Sequence, residues 1–173
     1  MKNLILILDN IRSFYNVGSI FRISDGAGVK KIYLCGITPY PEIKNDTRKP
    51  WVINTANEKL AKTALGAEKM VEFEFREDVV EIVRELRVEG WKVVSLEKNE
   101  ESADIFSDEI RLKLSDIEDV ALIVGNEVDG VSQELLDLSD LVIHIPMRGK
   151  KASLNVSTAT AIAVYQILQK NGE

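Results

Sequence analysis

Short apolar runs recur along this chain, and helix-spaced segments separate them. Leu4–Leu8 (LILIL) is apolar at every position, and Val120–Val124 (VALIV) repeats the pattern. A strand with one wet face alternates apolar and polar residues, so an unbroken run reads as a strand covered on both faces. Ile32–Cys35, Lys92–Leu96 and Leu141–Ile145 read as further strands. Val71–Phe75 alternates apolar with acidic residues and reads as an edge strand. Helices are expected over Val17–Ala27, Glu58–Leu65, Asp78–Val88, Ser132–Leu138 and Val156–Leu168. Residues 38–50 hold Pro39, Pro41 and Pro50 and read as a long loop. Strands alternating with helices predict one α/β domain over residues 1–173, with a mostly parallel sheet of about six strands.

The formal net charge is −6, which taken whole argues against a nucleic-acid partner. Its distribution does not. Residues 1–70 carry 11 Lys and Arg against 6 Asp and Glu, residues 71–144 carry 7 against 21, and residues 145–173 carry 4 against 1. A fold that joins the two ends would make a basic surface. Acidic helices that merely solubilise the middle would give the same count. Cys35 has no second cysteine to pair with, which points to a reducing compartment. The first apolar run is too short for a signal peptide or a membrane span, so the cytoplasm is expected.

In open parallel sheets, ligands bind beyond the carboxyl ends of the strands. The segments to inspect are therefore 9–18, 96–102, 125–131 and 146–155. In the first, Asn16 stands where a helix cap would, Gly18 permits close approach of a ligand, and Arg22 suits a phosphate. Asn16 and Arg22 are placed to face one cleft roughly; a plain cap and a solvated charge are the alternative. In the third, a buried strand runs into Gly125-Asn126-Glu127-Val128-Asp129-Gly130, a turn that is neither GxGxxG nor a P-loop. An ordinary acidic strand–helix turn fits it as well. In the fourth, Ile145-Pro-Met-Arg-Gly-Lys-Lys-Ala-Ser-Leu-Asn-Val-Ser157 is a basic loop entering a helix whose free N–H groups suit an anion or a nucleotide. That helix, apolar on all sides, must be buried in the fold or against a second subunit. His144 reads as a core or edge histidine, Cys35 as a buried packing thiol, and the carboxylates of 97–119 as a solvated face. No Cys/His cluster has metal-ligand spacing, so no metal is expected.

In order and spacing these segments resemble the motifs of the SpoU (TrmH-like) RNA ribose 2′-O-methyltransferases of the SPOUT superfamily. The matching stretches are Asn16–Arg22, Val124–Gly130 and Ile145–Ser157, with Thr63–Glu68 as a further family-like segment. The likeness spans nearly the whole chain; Val128, Asp129 and Ala161 depart from common family residues. It implies an α/β-knot fold with a deep C-terminal trefoil knot, and a homodimer whose interface includes the N-terminal and last helices. It implies S-adenosylmethionine as cofactor, held by Leu96, Gly125, Ile145, Met147, Ser153 and Leu154, largely through backbone. It gives the activating role to Arg22, with Asn16, Glu127 and Asn155 orienting it and the nucleotide. Arg12, Arg148, Lys150 and Lys151 are the expected RNA contacts on a tRNA or rRNA substrate. A relative of this fold that binds RNA without methylating it is one alternative; a nucleotide-dependent oxidoreductase, without its glycine fingerprint, is another.

Overall fold

A computed structural model describes residues 2–169. The sheet runs in the order β3-β2-β1-β6-β4-β7-β5, and every pairing is parallel. The strands are β1 (Asn3–Asp9), β2 (Lys31–Cys35), β3 (Glu72–Arg76), β4 (Lys92–Leu96), β5 (Ala103–Asp104), β6 (Asp119–Val124) and β7 (Leu141–His144). Helices α1 (Phe14–Ala27), α2 (Pro50–Ala64), α3 (Val79–Val88), α4 (Asp108–Ser115), α5 (Gln133–Asp137) and α6 (Val156–Leu168) cover it. Leu4, Leu6 and Leu8 of β1 meet α1, α2, α4 and α6 on one face; Ile5 and Ile7 meet α3 and α5 on the other. The apolar runs β1 and β6 lie side by side at the centre, in register from Asn3–Asp119 to Leu8–Val124. Burial on both faces is why neither strand alternates. β3 is an edge, as its alternation indicated.

The sheet has seven strands, because the two-residue β5 adds an edge beyond β7. Helix α4 is a second addition. Ser107 caps it by accepting from the Ile110 N–H, and it buries Ile110 and Leu114 within a charged segment that reads as solvated face. Helix α2 begins at Pro50 rather than Glu58, because a proline suits the first helical position, where no N–H is needed. Helix α1 begins at Phe14, capped by Ser13, which accepts from the Asn16 N–H. Asn16 is therefore in the first turn, not the cap, and its side chain is free for other contacts.

One expectation about α1 changes. Gly18 does not open space for a ligand: a Cβ there would lie 2.4 Å from the Leu60 carbonyl oxygen, so it admits the backbone of α2. Helix α6 buries Val156, Thr160, Ala163, Val164 and Ile167, a seam at helical spacing. The fold covers only this side; Tyr165 stays 57% exposed and Ala161 and Ile162 are partly open. Cys35 is fully buried; burial, then the charge of Asp9, pushes its thiol up to about 12, so it packs and does not react. Among the described residues no helix is long and apolar enough to cross a membrane. Lys170, counted with the basic C-terminal segment, lies outside the described residues.

Candidate active site

All four segments chosen from the sequence emerge at the carboxyl end of the sheet. Beyond β6 the chain folds back at once. The Asn126 carbonyl accepts from the Gly130 N–H at 2.9 Å, and its side-chain Oδ1 accepts from the Val128 and Asp129 N–H groups at 2.7 and 3.2 Å. A Cβ on Gly125 would lie 2.3 Å from the Gly130 carbonyl oxygen, so only glycine closes this turn. Asn126 Nδ2 donates to the Asn10 carbonyl at 3.2 Å and ties the turn to the end of β1.

The turn carries Glu127 to the start of α1, where three side chains form a directed chain. Asn155 caps α6: its Oδ1 accepts from the Ser157 N–H at 2.9 Å, the Ser157 hydroxyl at 2.6 Å and the Thr158 N–H at 3.4 Å. That fixes the amide, so Nδ2 faces outward and donates to Asn16 Oδ1 at 3.1 Å. Asn16 Nδ2 then donates to Glu127 Oε1 at 3.1 Å. A carboxylate can only accept here, so both asparagine orientations follow from their partners. Glu127 Oε2 also accepts from the Arg12 N–H at 3.3 Å. Burial pushes the Glu127 carboxyl up, but bonds from its own amide, the Asn16 side chain and the Arg12 and Ser13 amides outweigh this and hold it below its ordinary value. Glu127 is therefore ionised at neutral pH and a weak base, placed to orient its neighbours.

Two cavities open beside this chain, of about 410 and 130 Å³. Leu96, Glu97, Ser153, Leu154 and Ala159 line both. Gly125 lines the larger and Ile145 and Met147 the smaller, so all six residues expected at a cofactor are gathered here. A larger depression of about 580 Å³ lies between α2 and β3, but Glu42, Glu68 and Glu72 surround it and no motif residue other than Glu68 of the 63–68 stretch lines it. The post-strand motif residues line the smaller pair instead.

Arg22 is not brought to this cluster. Six residues at 3.6 per turn place it about 120° around α1 from Asn16. It is exposed, lines neither cavity and shares the outer face of α1 with Gly26, where a Cβ would lie 3.5 Å from the Tyr165 hydroxyl of α6. Arg12 reaches Asp129 at 4.0 Å with both side chains exposed, a contact of little energetic weight. Arg148, Lys150 and Lys151 are exposed on the loop before α6. Among the described residues no three His, Cys, Asp or Glu side chains gather as a metal site.

The family model described as the SpoU rRNA Methylase family matches residues 3–165. The chain belongs to the SpoU family. It is 30% identical to a tRNA (guanosine(18)-2′-O)-methyltransferase of Aquifex aeolicus over 99% of this chain and 72% of that one. It is 27% identical to a 23S rRNA (guanosine-2′-O-)-methyltransferase of Xanthomonas axonopodis pv. citri over 98% of this chain and 59% of the other. Among solved structures, an AdoMet-bound rRNA methyltransferase from Sinorhizobium meliloti superposes with a TM-score of 0.74 at 25% identity, covering 95% of this chain and 55% of that one. The chain thus spans little more than half the length of two of these three proteins.

Sequence reasoning missed Glu97 and His144. Glu97 opens the run 97–101, where three more charged residues disguise it as solvated surface; its place directly after a strand was the available signal. Of the core and edge readings of His144 the edge one holds, on β7 beside the two-residue β5. The residue is half-buried, lines the smaller cavity, and its Nδ1 lies 3.0 Å from the Ser102 hydroxyl.

Proposed function

We propose that this SpoU protein transfers a methyl group from S-adenosylmethionine to a ribose 2′-hydroxyl of tRNA or rRNA. The observation that carries the reading is the Asn155–Asn16–Glu127 chain at the rim of a paired cavity built by three post-strand loops. The cavity walls fit the cofactor: Leu96, Ile145, Met147 and Leu154 offer apolar surface for an adenine, and Glu97 and Ser153 offer polar groups for a ribose. When bound, S-adenosylmethionine supplies a sulfonium-activated methyl. The similarity to the AdoMet-bound Sinorhizobium protein and to the two guanosine methyltransferases supports the same assignment.

The remaining work falls to this chain's own residues. A ribose hydroxyl is a weak nucleophile and must lose its proton as it attacks. Glu127 cannot take that proton at neutral pH without breaking the bonds that hold it ionised. Arg22 offers only guanidinium N–H donors and no acceptor, so it takes no proton either. Its fork suits a phosphate, so Arg22 grips the backbone beside the target ribose and leaves that phosphate or a water to accept the proton. Asn16 and Asn155 hold the nucleotide, and Arg12, Arg148, Lys150 and Lys151 hold flanking phosphates.

The active unit in this reading is a homodimer. Its support is the open side of α6 beside the outer face of α1 that carries Arg22. The knot has support in the strand order: β7 lies between β4 and β5, so the 97–102 connection crosses the end at which the chain leaves β7. An RNA substrate favours the cytoplasm as the compartment of the reaction. The test is calorimetric titration of S-adenosylmethionine into the protein with a chelator and without RNA. Saturable one-site binding is expected. No binding by folded protein would overturn the reading in favour of a relative that only binds RNA.

A further inference from the structure

Glu97 is the one charged side chain common to both cavities. It follows β4 directly, and its N–H donates to the Ile143 carbonyl of β7 at 2.9 Å. Oε2 accepts from the Val131 N–H at 2.8 Å and Oε1 from the Lys98 N–H at 2.7 Å. A Cβ on Gly130 would lie 2.0 Å from Oε2, so the carboxylate is seated directly on the 125–131 turn. Each carboxylate oxygen has two acceptor sites. The two backbone bonds therefore leave one acceptor on each oxygen. Of the other residues that line both cavities, Leu96, Leu154 and Ala159 have apolar side chains and Ser153 has a single hydroxyl.

Two acceptors on one fixed carboxylate match the neighbouring hydroxyls of a ribose. An acidic side chain at the carboxyl end of a parallel sheet holds ribose hydroxyls in dinucleotide-binding folds by the same chemistry. We propose that Glu97 is a cofactor-binding residue, its carboxylate accepting the 2′- and 3′-hydroxyls of the S-adenosylmethionine ribose while bracing the 125–131 turn. The assignment rests on the methyltransferase reading above.

The test is calorimetry with S-adenosylhomocysteine and its 2′,3′-dideoxy form, on wild type and Glu97→Gln. Glutamine keeps one oxygen for the Val131 N–H, and circular dichroism confirms that the variant folds. Wild type should bind the dideoxy ligand about ten- to a hundredfold more weakly than S-adenosylhomocysteine, the range given by hydrogen bonds to a charged group. Glu97→Gln should lose a similar factor toward S-adenosylhomocysteine, while the two proteins bind the dideoxy ligand alike. Equal losses toward both ligands would show that Glu97 only braces the turn and would overturn the proposal. So would a variant that binds as wild type does. If Glu97→Gln does not fold, the wild-type comparison decides alone: equal affinity for the two ligands overturns the assignment. A wild type that binds neither ligand would sink the methyltransferase reading itself, an outcome distinct from those.

Discussion

Asn155 performs two tasks with two ends of one amide, and substitution can separate them. Its oxygen caps α6 by accepting three hydrogen bonds, and its nitrogen sets the orientation of Asn16. Asn155→Ala removes both. Loss of such a cap costs about 1 kcal/mol, or roughly 2–4 °C in Tm for a chain of this size. Asn155→Asp keeps the acceptor, and a carboxylate at a helix N-terminus is favourable, so its Tm should stay within about 2 °C of wild type or rise. It cannot donate to Asn16. Asn16 would then stand between two carboxylates, Asp at 155 and Glu127, and whichever way it turned one would face its carbonyl oxygen. The ribose and its phosphate lose their fixed seat, and misplacement on the ångström scale costs on the order of 10²-fold in rate. Circular dichroism melts and labelled-methyl transfer into unmodified RNA read the two effects separately. Aspartate at wild-type rate would refute the directed chain; aspartate as unstable as alanine would refute the cap.

Arg22→Ala should cost on the order of 10²–10³ in methyl transfer with S-adenosylhomocysteine affinity unchanged in calorimetry, because Arg22 lines neither cavity; Arg22→Lys should recover little. Gly125→Ala should weaken cofactor binding at least tenfold in the same assay, since the added methyl meets the Gly130 backbone at 2.3 Å and the turn must open. Replacing Lys150 and Lys151 with Ala should flatten the salt dependence of RNA binding, measured by filter binding, by about 0.7 in log–log slope for each phosphate that is no longer neutralised. Glu127 has a folded pKa below its unfolded value of about 4.3, so its stabilisation is complete above that pH and is lost as pH falls through the folded value. Urea midpoints of wild type and Glu127→Gln should therefore differ at pH 7 and converge in strong acid.

Much of the fold is legible in the residues, and the reasons for the rest are physical. Unbroken apolar runs mark β1 and β6 because both of their faces are covered. The post-strand rule found the loops that supply five of the six residues expected at a cofactor; Ile145 lies just before the last of them. Spacing misled where it was not a helical repeat: Asn16 and Arg22 are six apart, and the fold turns them to different sides. Most carboxylates of 97–119 are solvated as expected, and the departure is Glu97, which turns inward to a backbone N–H. Nothing local in the sequence distinguishes an inward glutamate from the three charged residues that follow it in the same run. The apolar residues of α6 extend beyond its buried seam, and the proposed dimer accounts for the side that the fold leaves open.

The central claim is that the methyl group goes to a ribose oxygen. A 2′-O-methyl blocks alkaline cleavage of the adjoining phosphodiester, because the hydroxyl that attacks the phosphorus is gone. Unmodified tRNA and rRNA incubated with the protein and methyl-labelled S-adenosylmethionine, then hydrolysed in alkali, should yield the label in alkali-stable dinucleotides. Label recovered in mononucleotides would place the methyl on a base and contradict the account.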